Sequence, residues 1–267
     1  MDDLKKPDIN LVKSERKGVS GFAENFMREF KIVFHLLMIA PLYLVGAACI
    51  GAALLPGFYL FNAISDWTAG FSQGVRFWLL GTSLGLGYFM YGFSMIVLVP
   101  TLNFLFRTSL KEWRGPYYSL PAVRWYIHNG LTYVVRFTFL EFITPTPFNL
   151  FFFRMMGMKI GEGTLINSSH LSDPSLIEMG RKVTLGGSVT IVAHYGQGGF
   201  LVLAPVKIGD KATIGLRAIL MGGVTIGEGA KILPNSVVLP KTHVPAGETW
   251  GGVPARKIEA HELVKAS

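Results

Sequence analysis

Residues 206–247 read VKIGDK ATIGLR AILMGG VTIGEG AKILPN SVVLPK THVPAG, hexapeptides in unbroken succession. Each opens on a small or branched residue (Val206, Ala212, Ala218, Val224, Ala230, Ser236, Thr242) and centres on an aliphatic one. The aliphatic series is Ile208, Ile214, Leu220, Ile226, Ile232, Val238 and Val244, reaching back to Val202 and on to Trp250. A period of six is neither the 3.6 of a helix nor the alternation of a free strand. One inward aliphatic per six residues, with a small residue at each corner, describes a prism of short parallel strands, three to a coil. An earlier series, Ile160 and Ile166, then Ile177, Val183 and Val189, keeps the period with breaks of eleven and thirteen residues. About five coils fit into 154–258, and the segment 259–267 is expected to form a short capping helix, since a repeat stack needs closed ends.

Outward from the repeat, the material changes. Thirty-one of the 34 aromatics precede Arg154, whereas 18 of the 31 glycines lie in the last 114 residues. No Asp, Glu, Lys or Arg occurs from Ile32 to Ser65 or from Phe77 to Phe106. Each stretch is long enough for a helix to cross a hydrocarbon core of about 30 Å. Pro41, Pro56 and Pro100 are expected to kink or end these helices, with Asn62–Arg76 as the link between them. Lys5, Lys6, Lys13, Arg16, Lys17, Arg28 and Lys31 precede the pair, and Arg107, Lys111, Arg114, Arg124 and Arg136 follow it. The link holds only Asp66 and Arg76, so the positive-inside rule places both ends, and the repeat, in the cytoplasm. Phe22, Phe26, Phe30, Val33 and Phe34 recur at helical spacing beside Arg28 and Lys31, the pattern of an interfacial helix. The segment 117–153 reads as further interfacial helices; the alternative is a third crossing, which would put the repeat on the other side of the membrane. The expected organisation is therefore 1–31 interfacial, 32–106 two spans, 107–153 interfacial, 154–258 β-helix and 259–267 tail.

Composition removes several classes. Half of the residues are apolar, 16% are charged and mean hydropathy is +0.41, which excludes disorder. The single cysteine, Cys49, excludes a disulfide framework and a cysteine-based zinc site. A net charge of +8 without a basic cluster interleaved with aromatics fits anionic lipid and not nucleic acid. Zinc held by histidine needs closely spaced ligands. His35, His128, His170, His194, His243 and His261 come no nearer to one another than 18 residues, so no metal is expected.

One histidine stands apart. His194 ends the strand Val189-Thr190-Ile191-Val192-Ala193-His194 and precedes the glycine-rich break Tyr195-Gly196-Gln197-Gly198-Gly199. Imidazole, with a free pKa near ~6.5, is suited to taking a proton from a hydroxyl or amine at neutral pH. Counting in register puts Leu176 one coil below His194 and Thr213 one coil above, with His170 on another corner. His170, Asp173, Glu178 and Thr213 are secondary site candidates, and a backbone carbonyl is an equally good partner for the ring.

The repeat, the strand-ending histidine and the excursion after it resemble the hexapeptide acetyltransferases. The run Ile208-Gly209-Asp210-Lys211-Ala212-Thr213-Ile214-Gly215, the segment Gly222-Gly223-Val224-Thr225-Ile226-Gly227 and the ending Gly251-Gly252-Val253-Pro254-Ala255-Arg256 carry the likeness. The resemblance implies a left-handed parallel β-helix, a homotrimer, and acyl-CoA, above all acetyl-CoA, lying along the coils in a groove between subunits. It implies His194 as general base, and Gly215, Gly222, Gly223, Lys241, Trp250, Arg256 and Lys257 as the donor-binding set. Leu233-Pro234-Asn235-Ser236 and Pro240-Lys241-Thr242 depart from the family's usual GAGS and TKD. Arg124-Trp125-Tyr126, Arg154–Gly161 and Leu201–Gly209 are further similar to membrane-embedded hexapeptide transferases, including the terminal domain of polylysine synthetases. The expectation is an acyltransferase of the bacterial inner membrane whose acceptor is a lipid, a lipid-linked sugar or an amine. The alternative is a non-catalytic trimeric scaffold.

Overall fold

The computed structural model describes residues 13–259, with backbone alone at His35 and Met38. Lys5 and Lys6 of the basic N-terminal stretch, and the capping helix expected beyond Glu259, lie outside the described residues.

The hexapeptide period becomes three parallel sheets. The first stacks Lys159–Ile160, Ile177–Met179, Val206–Ile208, Thr225–Ile226 and His243–Val244. The second stacks Leu165–Ile166, Thr184–Leu185, Thr213–Ile214, Lys231–Ile232 and Thr249–Gly251. The third stacks Leu171–Ser172, Thr190–Val192, Ile219–Met221 and Val237–Val238. Taken in chain order, these strands wind four full coils and two sides of a fifth. Ile208, Ile214, Leu220, Ile226, Ile232, Val238 and Val244 are all buried, as are the corner residues from Val206 to Ser236. The glycine after the aliphatic lets one coil sit on the next. A Cβ on Gly215 would lie 2.5 Å from the backbone nitrogen of Pro234.

The register of the early coils differs from the count made above. Met179, Leu185 and Ile191, not Ile177, Val183 and Val189, align with Ile208, Ile214 and Leu220. Residues i and i+2 of a strand point the same way, and both members of each pair are apolar and buried. Period alone therefore could not choose between them. Val202 also leaves the prism: it lies in an antiparallel hairpin, His194–Gln197 with Phe200–Leu203, inserted between the second and third coils. Ala204 N donates to Ala193 O (2.9 Å) at the hairpin base, and Gly223 N donates to Ala204 O (3.1 Å) where the stack resumes.

The N-terminal half is helical. α1 (Gly18–Glu29) leads, after a break at Phe30, into α2 (Lys31–Trp67), which runs antiparallel to α3 (Gln73–Leu105). Both are long and apolar enough to cross a membrane. They are longer than the uncharged stretches, so the link shrinks to Thr68–Ser72, and Pro41, Pro56 and Pro100 end neither helix. The two backbones approach closely at Gly57 and Gly87, where a Cβ on Gly57 would meet Gly87 Cα at 3.0 Å. A strand, Trp113–Pro116, then pairs with Phe200–Leu203 and makes the hairpin a three-stranded antiparallel sheet. α4 (Leu120–Val135), a π-helical turn at Arg136–Leu140 and α5 (Pro147–Met155) complete the half. α5 closes the first coil: Phe152, Phe153 and Met156 are fully buried, and Asn149 Nδ2 donates to Ile166 O at 2.8 Å. One apolar core runs from Cys49 and Met95 through Leu131 and Phe139 to Val244, so the two halves pack as one body.

Candidate functional site

The third sheet decides where His194 sits. Ser172 aligns with Val192 and Met221, so the residues that leave this face at the same corner are Asp173, Ala193–His194 and Gly222–Gly223. The coil below His194 therefore presents Asp173, not Leu176. The difference arises at the corner: Asp173 takes a left-handed conformation (φ 60°) and opens a 3-10 turn, Pro174–Leu176, which the six-residue count does not contain. Thr213 belongs to the second sheet and is exposed.

His194 Nδ1 lies 2.6 Å from Asp173 Oδ2. The aspartate side chain is wholly buried, while that of the histidine keeps 20% of its surface. The other carboxylate oxygen accepts from Trp125 Nε1 (2.9 Å) and Asn129 Nδ2 (2.7 Å), one turn apart on α4. A carboxylate accepting three hydrogen bonds is held in one orientation, and each bond offsets part of the cost of its burial. With Asp173 accepting from Nδ1–H, the neutral ring carries its free lone pair on Nε2. Trp125 also packs edge-on against the imidazole, ring centroids 4.8 Å apart. A buried carboxylate beside an imidazole that keeps part of its surface is an arrangement that could serve as a general base.

Beneath this lies a second buried polar group. His128 Nδ1 is 2.8 Å from Asn103 Oδ1, to which Thr108 Oγ1 also donates (2.5 Å). Burial pushes the His128 imidazole down to about 4, partly opposed by the charge of Asp173. Its Nε2 is buried and has no hydrogen-bond partner among the described residues.

Of the other candidates, Gly222, Gly223 and Lys241 share the corner of His194, Lys241 N donating to Gly222 O at 3.0 Å, and the rest scatter. His170 stands opposite Thr190, at the far end of the strand layer that leads to His194. It is drawn below the usual histidine range by burial and by Arg136, against the pull of Glu141, which Ser169 contacts. Glu178 pairs with Lys159 on the first sheet (3.3 Å). Trp250 takes an inward repeat position beside Ile232, its indole nitrogen donating to Glu248. Lys257 pairs with Glu248 (3.2 Å), which raises the lysine pKa. Lys241 and Arg256 are exposed. Gly215 serves coil stacking, whereas Gly222 faces the hairpin, where a Cβ would meet Tyr195 at 3.0 Å. Among the described residues no three His, Cys, Asp or Glu side chains are grouped as metal ligands.

Trp125 and Asn129 were not singled out as site residues from sequence. Their spacing, four residues apart, puts both on one face of α4, but Arg124, His128 and Thr132 in the same helix offer polar side chains too. What they meet became visible only with the fold.

Residues 205–240, within these stacked coils, match the family model of the bacterial transferase hexapeptide (six repeats). Among particular proteins, Delta-poly-L-ornithine synthetase of Acinetobacter baumannii is 28% identical over 165 residues, covering 62% of this chain and 12% of that protein. Mitochondrial gamma carbonic anhydrase 2 of Arabidopsis thaliana is 32% identical over 115 residues, 41% of this chain and 40% of that one. Putative acetyltransferase YvoF of Bacillus subtilis is 29% identical over 161 residues, 54% of this chain and 90% of that one. The chain thus spans less than half the length of the first two relatives.

Proposed function

We propose that the chain is a membrane-anchored acyltransferase that moves an acetyl group from acetyl-CoA to a hydroxyl or amine of a membrane-associated acceptor. The observation that carries this reading is the His194–Asp173 pair, fixed from below by Trp125 and Asn129. Nε2 of His194 takes the acceptor proton as the acceptor oxygen or nitrogen attacks the thioester carbonyl carbon. The carbon–sulfur bond then breaks, and the proton held on Nε2 passes to the leaving sulfur. Asp173 touches neither reactant; it keeps the tautomer and stabilises the imidazolium.

The likeness to an acetyltransferase over 90% of that relative's length supports the reaction class. In this reading the stack winds left-handed and assembles as a homotrimer, with the donor in a groove between subunits near Gly222, Gly223, Lys241 and Arg256. α2 and α3 cross the bacterial inner membrane, and the basic residues flanking them hold the β-helix on the cytoplasmic side.

The test uses the full chain in nanodiscs with radiolabelled acetyl-CoA and a bacterial lipid extract. Label should pass from CoA to an acceptor, and His194→Ala should lower the rate by on the order of 10²–10⁴. Undiminished transfer by His194→Ala would overturn the mechanism. An absence of both CoA binding and transfer would favour the scaffold.

A further inference from the structure

α1 has two unlike faces. Val19, Phe22, Phe26 and Phe30 are exposed in a row, whereas Gly21, Glu24 and Met27 are buried on the other side. An exposed row of this kind suits a helix lying in the headgroup region of a bilayer. Behind it is a cavity of about 320 Å³ walled by the segment before α1, by α1 itself, by Trp113–Pro116 and by the start of α4. Its charged lining is Lys13, Arg16, Arg28 and Arg114 against Glu15 and Glu24.

The carboxylates do not cancel the cations. Glu24 is engaged by Arg16 (3.2 Å) and Arg28 (3.4 Å), and it also accepts from Ser14 Oγ and from the Leu120 amide. Lys13 and Arg114 form no ion pair among the described residues. Arg114 is held over the Phe200 ring, 5.1 Å from its centroid, and both side chains line the cavity. Trp113, beside Arg114, aligns with Leu203, and Leu203 aligns with His194. Two strand spacings, about 10 Å, therefore separate the cavity's strand from the strand that opens on the candidate base.

We propose that this cavity binds the phosphate of an anionic lipid headgroup, and that the lipid so held is the acceptor; the second part rests on the acyltransferase reading. Arginine and lysine together match phosphate oxygens by charge and by donor geometry. The exposed row of α1 sets the cavity at headgroup depth, where a free anion has no advantage over a lipid-borne one. The headgroup's far end then reaches along the three-stranded sheet towards His194.

The test is a titration of the full chain in an uncharged detergent, followed by tryptophan fluorescence because Trp113 lines the cavity. The probes are dioctanoyl phosphatidic acid, dioctanoylglycerol and inorganic phosphate. Phosphatidic acid should bind at least about tenfold more tightly than either of the others, and Arg114→Gln should weaken it by about tenfold or more, near 1.4 kcal/mol. Arg114→Lys should retain most of the affinity, which separates lost charge from lost folding. Equal binding of inorganic phosphate would make this a free-anion site, and equal binding of dioctanoylglycerol an apolar one; either overturns the proposal, as does an unaffected Arg114→Gln protein. The titration contains no acetyl donor. Failure of headgroup binding in a protein that still transfers acetyl removes the cavity's role alone.

Discussion

Coils three to five and the corner at Asp173 are made from the same kinds of turn, yet they answer to different neighbours. In the upper coils each strand pairs with the strand stacked on it, eighteen residues on in sequence. Asp173 is left-handed as Lys211, Arg217 and Asn235 are at the regular corners, but a 3-10 turn follows it and breaks the repeat, and its neighbours come from α4, 44 and 48 residues earlier. Regularity there would have put an ordinary corner where the carboxylate now stands. The stack supplies a rigid frame, and the chemistry gathers where the frame is interrupted and the helical half docks onto it.

That contrast can be broken from either side. The largest effect should come from Asp173→Asn, since asparagine tolerates the same backbone conformation but cannot hold the imidazolium. Acetyl transfer should fall on the order of 10²–10⁴, with the melting temperature in detergent little changed. Ile214→Ala, deep in the second sheet and far along the stack from α4, should do the reverse. It should cost about 2–5 kcal/mol of stability while the folded protein keeps its turnover. If Ile214→Ala abolished transfer in protein that remained folded, the division between frame and site would be wrong.

A pH series sharpens the comparison. His128 is held neutral with a pKa of about 4, below the 6.5 of the unfolded chain. Between those values the unfolded state takes up a proton that the native state refuses, so stability falls as pH drops from 6.5 towards 4. The full difference corresponds to about 3 kcal/mol. His128→Gln should flatten the fall in melting temperature across that window; an unchanged slope would locate the acid sensitivity elsewhere. The smallest effect is expected for Asn129→Ala, which removes one of three donors to Asp173. The turnover number should drop about tenfold and the KM for acetyl-CoA should stay where it is.

What could be read from residues follows the same division. Two uncharged stretches became α2 and α3, and seven hexapeptides became the upper coils, because each pattern is local and repeated many times. The early coils were read two residues out of register, since Ile177 and Met179, or Val183 and Leu185, both point inward and both are apolar. Val202 looked like a repeat aliphatic but belongs to the hairpin, where another apolar surface covers it. Asp173 was one of several acids near the right place. Nothing local distinguishes it from Glu178, and the choice is made by Trp125 and Asn129, whose helix arrives from the other half of the chain.

α4 is the element through which the halves share a fate. One side of it supplies Trp125 and Asn129 to a carboxylate that is wholly buried beneath them. The other side, through Leu42 against Gly130 and Val45 beside Leu131, leans on α2. A repeat domain made without its helices would leave Asp173 open to water and its imidazole free to turn.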